Sequence, residues 1–225
     1  MHRYDRHFEL SDFTNHDQEK LKNASLLIVG AGGLGSPLFS YLIGAGIGKI
    51  TIYEPDTVSY SNLHRQTIYS TEDVGKLKSE ICEAEARKKN TDCVLIAISE
   101  YFALDTVPIG FFDLIIASPD NYDARIAADQ FAAKHHIPII HGAVQEYQGY
   151  LMILESHSSL RYRDIFPTPM VKTKQSKGIL GPVAGIIGSH MALKAIQILR
   201  ETENISSTLW DFDLLELKTS KIALS

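Results

Sequence analysis

The feature that most constrains the fold is a glycine-rich turn between a short apolar run and a helical pattern. Residues 26–30 read LLIVG, an apolar run without alternation, which is typical of a strand buried on both faces of a parallel sheet. AGGLGSPLFSYLIGAG follows, and Gly30, Gly32 and Gly35 have the spacing G-x-G-x-x-G. Glycines permit a tight turn and a close approach of phosphates, and the next helix offers unpaired N–H groups. The turn therefore predicts a nucleotide-binding α/β domain.

An acidic residue lies where a dinucleotide-binding fold needs one. The next strand-like run, KITIYE at residues 49–54, ends on Glu54, 19 residues after Gly35. An acid at about this distance hydrogen-bonds the ribose hydroxyls in such folds. The motif alone leaves open whether the nucleotide is NAD, FAD or ATP.

Strand-like and helix-like patterns alternate along the rest of the chain. This alternation predicts a Rossmann-like, doubly wound, mostly parallel sheet that ends in antiparallel C-terminal strands. We predict one domain over residues 1–225, with a helical lead-in at 1–23 and a crossover loop at 156–180. Beyond the two strands above, the predicted strands are at 93–99, 111–118, 137–143 and 150–155, with a closing pair within 208–224, and the main helices are at 14–22, 76–89, 122–135 and 181–199.

Composition indicates an ordinary globular protein. The formal net charge is −5, so no basic surplus points to a nucleic-acid partner. The start, MHRYDRHFEL, lacks the apolar core of a secretory signal, and no apolar run reaches the length of a membrane span. The two cysteines, Cys82 and Cys93, are expected to be ordinary thiols, and their spacing makes no zinc signature. We therefore expect a cytoplasmic protein with neither nucleic acid nor membrane as a partner.

A second group of polar residues bears on which nucleotide is bound. It comprises three segments, each placed after a predicted strand or close to one. Parallel sheets bind ligands at the carboxyl ends of their strands, so we expect these segments to converge on one crevice with the glycine turn. They are EPDTVSYSNLHRQ with Asp56, Asn62, Arg65 and Gln66, then DVGKLK with Lys78, then SPDNYDAR with Asp120, Asn121 and Arg125.

Three of these side chains favour ATP. The planar fork of Arg65 and the point charge of Lys78 suit the oxygens of a triphosphate. A carboxylate such as Asp120 can hold Mg²⁺, which bridges phosphates. An NAD-dependent oxidoreductase has little use for these cations beside the phosphates. The alternative for each residue is an ordinary one: a solvated surface charge for the two cations, and a helix N-cap for Asp120.

Taken together, these segments resemble the ThiF/MoeB/HesA family, relatives of the ubiquitin-activating enzymes. The resemblance rests on GxGGLG, which includes Gly33, and on ExDxVxxSNLxRQ, VGxxK and a DNxxxR-like stretch, and it extends from RYDRH to about Leu199. It implies adenylation of the C-terminal Gly-Gly carboxylate of a small ubiquitin-like sulfur carrier protein, with release of pyrophosphate. A carrier of thiamine synthesis is preferred to one of molybdopterin synthesis.

The resemblance also implies roles for individual residues. Glu54 would bind the ribose, Lys78 would bind phosphate, and Asp120 would bind Mg²⁺ and help to position the reacting groups. Such proteins are typically homodimers, and Arg6 in RYDR is similar to the arginine that one subunit lends to the ATP of the other. The residues expected around the adenosine and the phosphates are Asp56, Asn62, Arg65 and Gln66, with Asn121 beside them.

The chain departs from the family pattern in two places. Many members hold a structural zinc ion with two C-x-x-C pairs, whereas residues 161–164 read RYRD and no later pair exists, so we predict no zinc. Some members carry a cysteine shortly before the GPVxGxxGS helix, whereas residues 174–178 read KQSKG. We therefore expect adenylation without a covalent enzyme–carrier intermediate. Two alternatives stay open: adenylation of a small-molecule or peptide carboxylate, and a nucleotide-binding relative without turnover.

Overall fold

An eight-stranded sheet runs through the computed structural model, which describes residues 3–168, 178–200 and 205–224. The strands lie in the order β3-β2-β1-β4-β5-β6-β7-β8. The pairs among the first five strands are parallel, and the pairs from β5 to β8 are antiparallel, which confirms the predicted fold class. The strands are β1 (Ser25–Val29), β2 (Lys49–Tyr53), β3 (Val94–Ile98), β4 (Leu114–Ala117), β5 (Ile139–Gln145), β6 (Gln148–Leu154), β7 (Thr208–Asp213) and β8 (Lys218–Ala223).

Helices cover both faces of the parallel part of the sheet, and two of them have the predicted bounds. The described helices are α1 (Asp5–Phe8), α2 (Asn15–Asn23), α3 (Gly35–Ala45), α4 (Lys78–Lys89), α5 (Tyr122–His135), α6 (Tyr162–Ile165) and α7 (Gly181–Leu199). Several strand bounds differ from the prediction by one to three residues. Strand β4 begins three residues later than predicted. The irregular segment before β4 ends at Asp113, which hydrogen-bonds the backbone of Ser25.

The predicted crossover loop contains a short helix and part of a bridge. Helix α6 lies inside it, where the backbone N–H of Arg161 donates to the carboxylate of Asp164 and Tyr162 is buried. Ile179 pairs with Glu146 in an isolated bridge near the end of the same segment. A buried aromatic anchor, which has no periodic signature, explains why the sequence pattern did not predict α6. Residues 169–177 of the predicted loop lie outside the described part of the chain.

Helix α7 packs directly over the glycine turn because its inner face is made of small residues. A Cβ atom on Gly188 would lie 2.3 Å from the carbonyl oxygen of Leu34, and one on Gly181 would lie 2.4 Å from that of His64. The Cβ of Ala184 is 3.2 Å from where a Cβ on Gly33 would lie. By length and composition alone α7 could also span a membrane, but the burial of its inner face against the sheet accounts for its apolar character.

Gly48 provides a test of the packing between α2 and β2. Its φ is not in the left-handed region, but an added Cβ would lie 1.7 Å from the carbonyl oxygen of Lys22, so the helix end and the strand would have to separate. We expect Gly48→Ala to lower the free energy of unfolding by about 3 kcal/mol, at the upper end of the usual cost of overpacking. Urea denaturation followed by circular dichroism measures this.

Gly178 is the matched control, because a Cβ there would meet no atom within 4 Å among the described residues. Gly178→Ala should change the free energy of unfolding by less than about 0.5 kcal/mol. Equal stability of the two variants would contradict the described packing of α2 against β2.

Candidate functional site

The carboxyl ends of the parallel strands surround one cavity of about 760 Å³, a volume within the range of small-molecule sites. The structure brings most of the predicted site residues to its wall. Gly35 and Arg6 are the two that do not line it. The predicted residues that do are Gly30, Gly32, Gly33, Glu54, Asp56, Asn62, Arg65, Gln66, Lys78, Asp120 and Asn121.

The glycine turn needs glycine at two positions for different reasons. Gly30 has φ +96°, a left-handed conformation that is strained for other residues. A Cβ on Gly35 would lie 2.6 Å from the carbonyl oxygen of Gly30, so Gly35 closes the turn without facing the cavity. Gly32 is freer, because the nearest atom to an added Cβ is the Nε2 of Gln66 at 3.6 Å.

Glu54 holds the glycine turn to the end of β2. Its side chain is buried, its Oε2 accepts a 2.6 Å hydrogen bond from the N–H of Ala31, and its Oε1 accepts one of 3.1 Å from the N–H of Asp56. Burial raises the pKa of this carboxyl, although Lys78 and the two N–H groups act in the opposite direction. Each carboxylate oxygen has a second lone pair, so Glu54 can hold the turn and still accept a ribose hydroxyl.

Lys78 is buried between two carboxylates at the start of α4. Its Nζ lies 3.1 Å from the Oδ2 of Asp56 and 3.8 Å from the Oε1 of Glu54. The side chain of Asp56 is 52% exposed and can turn to solvent, whereas the side chains of Lys78 and Glu54 are only 4% and 5% exposed. A phosphate oxygen can therefore take the place of Asp56 while the pair of Lys78 and Glu54 stays together.

A turn after β2 presents an amide, a guanidinium and a second amide to the cavity. Asn62 accepts from the N–H of Ser59 with its Oδ1, which leaves its NH₂ for a ligand, and Arg65 donates to the carbonyl oxygen of Ser61 at 2.7 Å. Gln66 is buried, and its Oε1 has no hydrogen-bond partner in the part of the chain that the structure describes. A buried acceptor without a partner fits a ligand that carries hydroxyl or amino donors, such as a nucleoside.

Asp120 is free to bind a ligand, because Asn121 caps the following helix. The Oδ1 of Asn121 accepts a 2.8 Å hydrogen bond from the N–H of Ala124, whereas Asp120 is exposed and has no hydrogen bond or ion pair to the described residues. The alternative in which Asp120 caps α5 is therefore wrong. No group of three metal-ligating side chains occurs within the described ranges. One carboxylate together with phosphates is, however, a usual Mg²⁺ site, so Asp120 fits that role.

Arg6 lies far from the cavity of its own chain. Its side chain is 86% exposed and pairs with Glu9. Helix α1 sits at the C-terminal end of α3, where Tyr4 accepts a 3.0 Å hydrogen bond from Asn90 and Gln18 donates to the carbonyl oxygen of Ala45. The glycine turn is at the other end of α3, whose 11 residues span about 16 Å.

Several residues that line the cavity are not among the predicted site residues. Arg125 belongs to the motif after β4, and its place one helical turn after the N-cap of α5 could have indicated that it lines the site. No sequence signal indicated the aromatic residues, because they come from segments without a motif. They are Tyr101 and Phe102 after β3, Tyr150 in β6 and Tyr162 in α6.

Glu54 gives the site a testable pH dependence. A carboxyl whose pKa is higher in the folded than in the unfolded state takes up protons on folding. Its contribution to stability therefore falls as the pH rises above the pKa of the unfolded state, about 4.5 for glutamate. We expect the wild type to lose stability relative to Glu54→Gln as the pH rises from this value. Urea denaturation of both proteins across that range measures the slope, and parallel curves would contradict the buried state of Glu54.

Comparison with known proteins identifies the family. The model of the ThiF family matches residues 4–225. The chain is 30% identical to the sulfur carrier protein adenylyltransferase of Thermus thermophilus, over 100% of this chain and 87% of the relative. It is 31% identical to the probable molybdopterin-synthase adenylyltransferase of Gracilaria tenuistipitata, over 99% of this chain but only 64% of that relative.

Solved structures agree in fold. The crystal structure of E. coli MccB with ATP has a TM-score of 0.86 at 23% identity, and the match covers 100% of this chain and 72% of MccB. At that identity the likeness concerns the fold alone. The family match over nearly the whole chain and the identity to the Thermus protein lead to one conclusion: the chain belongs to the ThiF family.

Proposed function

We propose that this protein uses ATP to adenylate the C-terminal Gly-Gly carboxylate of a ubiquitin-like sulfur carrier protein. The observation that carries the proposal is the meeting, in one cavity, of the glycine turn, the buried Glu54, the cations Arg65 and Lys78, and the unpartnered Asp120. The names of the relatives, which are sulfur carrier and molybdopterin-synthase adenylyltransferases, support the same reaction.

The order of the strands suggests how ATP lies in the cavity. The ribose would bind at the end of β2, beside Glu54 and the unpartnered Oε1 of Gln66. The base would lie toward the aromatic side chains after β3, among them Phe102. The triphosphate would follow the glycine turn toward Arg65 and Lys78, whose charges offset those of the β- and γ-phosphates.

The reaction needs positioning and charge neutralisation rather than a general base. The C-terminal carboxylate is ionised at neutral pH because an α-carboxyl has a pKa of about 3.5. One of its oxygens attacks the α-phosphorus, an acyl–phosphate bond forms, and the bond to the bridging oxygen of pyrophosphate breaks with its electron pair. Arg65 and Lys78 stabilise the charge that develops on pyrophosphate. Asp120 would hold Mg²⁺, which when bound would supply positive charge that lowers the repulsion between the phosphates.

The state of the cysteines supports a reaction without a covalent enzyme–carrier intermediate. Both cysteines of the chain are buried. Burial raises the pKa of the Cys82 thiol to about 12 and that of Cys93 to about 11. Thiolates, which are the nucleophilic form, are therefore scarce at neutral pH. We also retain the prediction of no structural zinc, because RYRD at residues 161–164 offers no thiolate.

A homodimer would explain the position of Arg6. A two-fold axis that packs two α3 helices antiparallel would bring the C-terminal end of α3, and with it α1, to the glycine turn of the other subunit. Exposed apolar side chains on the helices at this face, Tyr41 of α3 with Ile186 and Leu193 of α7, suit such packing. Each active site would then combine its own Asp120 with Arg6 of the other subunit.

ATP–pyrophosphate exchange tests the function and the role of Asp120. We expect exchange only in the presence of a carrier that ends in Gly-Gly, with a thiamine-type carrier assayed first and a molybdopterin-type carrier second. Asp120→Ala should lower exchange by about 100-fold or more, while the Kd for ATP changes less than about tenfold. Asp123→Ala, an exposed acid one residue into α5, is the matched control and should leave exchange unchanged.

The outcomes separate the alternatives. Exchange with a small-molecule or peptide carboxylate but with no carrier would move the assignment to that class of acceptor. ATP binding without exchange under any condition would identify a non-catalytic relative. Full activity of Asp120→Ala would remove the proposed Mg²⁺ site.

Mixing two inactive variants tests the shared site. Arg6→Ala and Asp120→Ala should each be nearly inactive alone. After subunit exchange at equal concentrations, half of the dimers are mixed and one of their two sites is intact, so we expect about a quarter of wild-type turnover. No recovery in the mixture, with mixed dimers confirmed by mass spectrometry, would contradict a contribution of Arg6 across the interface.

A further inference from the structure

Beyond the residues that face the phosphates, the cavity continues to a buried arginine that is only partly satisfied. Arg125 of α5 lines the cavity and is 8% exposed. Its Nη2 donates to the carbonyl oxygen of Pro119 at 2.5 Å. Its Nη1 is buried and has no hydrogen-bond partner among the described residues. A buried charged donor without a partner carries a large desolvation cost, so it requires an explanation.

Among the described residues, no carboxylate forms an ion pair with Arg125. Asp129, one turn further along α5, lies instead beside His141, with 3.8 Å between its Oδ1 and the Nε2 of the imidazole. Burial lowers the pKa of His141, which favours the neutral ring.

Arg125 also lies beside Tyr162, which is paired with Tyr150. Its guanidinium carbon lies 6.0 Å from the ring centroid of Tyr162, and the hydroxyls of Tyr162 and Tyr150 hydrogen-bond each other at 2.8 Å. The pKa of Tyr162 is raised by burial, so this hydroxyl stays neutral. The end of the cavity therefore presents a cation that has no carboxylate partner among the described residues, beside neutral tyrosine hydroxyls, an environment that favours an anion.

The position of Arg125 assigns this anion to the acceptor rather than to ATP. Glu54 and Arg65 follow β2, whereas Arg125 lies in α5, beyond Asp120 after β4. Tyr150, which hydrogen-bonds Tyr162, lies in β6. A ligand at Arg125 would therefore lie beside the proposed nucleotide, on the side of the cavity formed by β4 to β6.

We propose that Arg125 binds the C-terminal carboxylate of the acceptor, and this inference rests on the proposed function. The free Nη1–H would hold the oxygen that does not attack and leave the other oxygen to approach the α-phosphorus. The positive charge would also offset the repulsion between the carboxylate and the triphosphate, which is strong in a cavity of low dielectric. Arg125 thus both orients the nucleophile and selects acceptors that end in a carboxylate.

The test compares two forms of one carrier, prepared by semisynthesis with a C-terminal carboxylate or carboxamide. Binding is measured by calorimetry in the presence of an ATP analogue that cannot be cleaved between its α- and β-phosphates. Arg65 and Lys78 then already face phosphates. We expect the wild type to bind the carboxylate form about tenfold more tightly or better, as a charged hydrogen bond predicts. Arg125→Gln should bind both forms equally, and the exposed Arg163→Gln should retain the wild-type preference.

A second variant separates the charge of Arg125 from its structural hydrogen bond to Pro119. Arg125→Lys keeps the charge but cannot donate to Pro119 and to a carboxylate with the same planar fork. A preference that this folded variant keeps at least in part, with none left in Arg125→Gln, supports the inference, because the charge and not the contact with Pro119 is what the lysine retains. An unchanged preference in Arg125→Gln, or no preference in a folded Arg125→Lys, overturns it, even where wild-type exchange establishes the proposed function. Absence of carrier binding and of exchange in the wild type is the separate failure of the proposed function itself.

Discussion

The carboxylate of Glu54 is the interaction on which the nucleotide site depends. It joins three segments that are distant in the sequence: the glycine turn through Ala31, the loop after β2 through Asp56, and the start of α4 through Lys78. Because this carboxylate is buried, its charge is strongly coupled to these groups rather than screened by water. The loss of Glu54 would therefore release the turn and Lys78 together.

Small residues have a comparable effect on the other side of the turn. Helix α7 can approach the backbone of the glycine turn and of the turn that carries Arg65 only because Gly181, Ala184 and Gly188 face them. The result is a glycine turn fixed between a strand, a buried carboxylate and a long helix. Catalysis by positioning and charge neutralisation requires such rigidity, because the donors must already be in place when charge develops.

The sequence was sufficient for the fold class and for most of the residues that meet at the glycine-turn side of the cavity. Gly30, Gly35 and Glu54 could be placed because strand, turn and helix signals lie close together in the chain and their spacing is fixed by backbone geometry. Tyr150 and Tyr162 could not be placed, because they meet only through tertiary packing across β6 and α6. The position of Lys78 between two carboxylates and the unpaired Nη1 of Arg125 likewise depend on distances that no local sequence pattern encodes.

In the proposed reaction, a carboxylate oxygen of the carrier attacks the α-phosphorus of ATP. An isotope transfer measures this directly: the carrier is prepared with ¹⁸O in its C-terminal carboxylate, incubated with ATP and the enzyme, and the product is cleaved with hydroxylamine. We expect AMP that contains one labelled oxygen, since the bridging oxygen of an acyl-adenylate comes from the carboxylate, and no label in inorganic phosphate. Label in inorganic phosphate would indicate attack at the γ-phosphorus and an acyl phosphate, and would contradict the proposed chemistry.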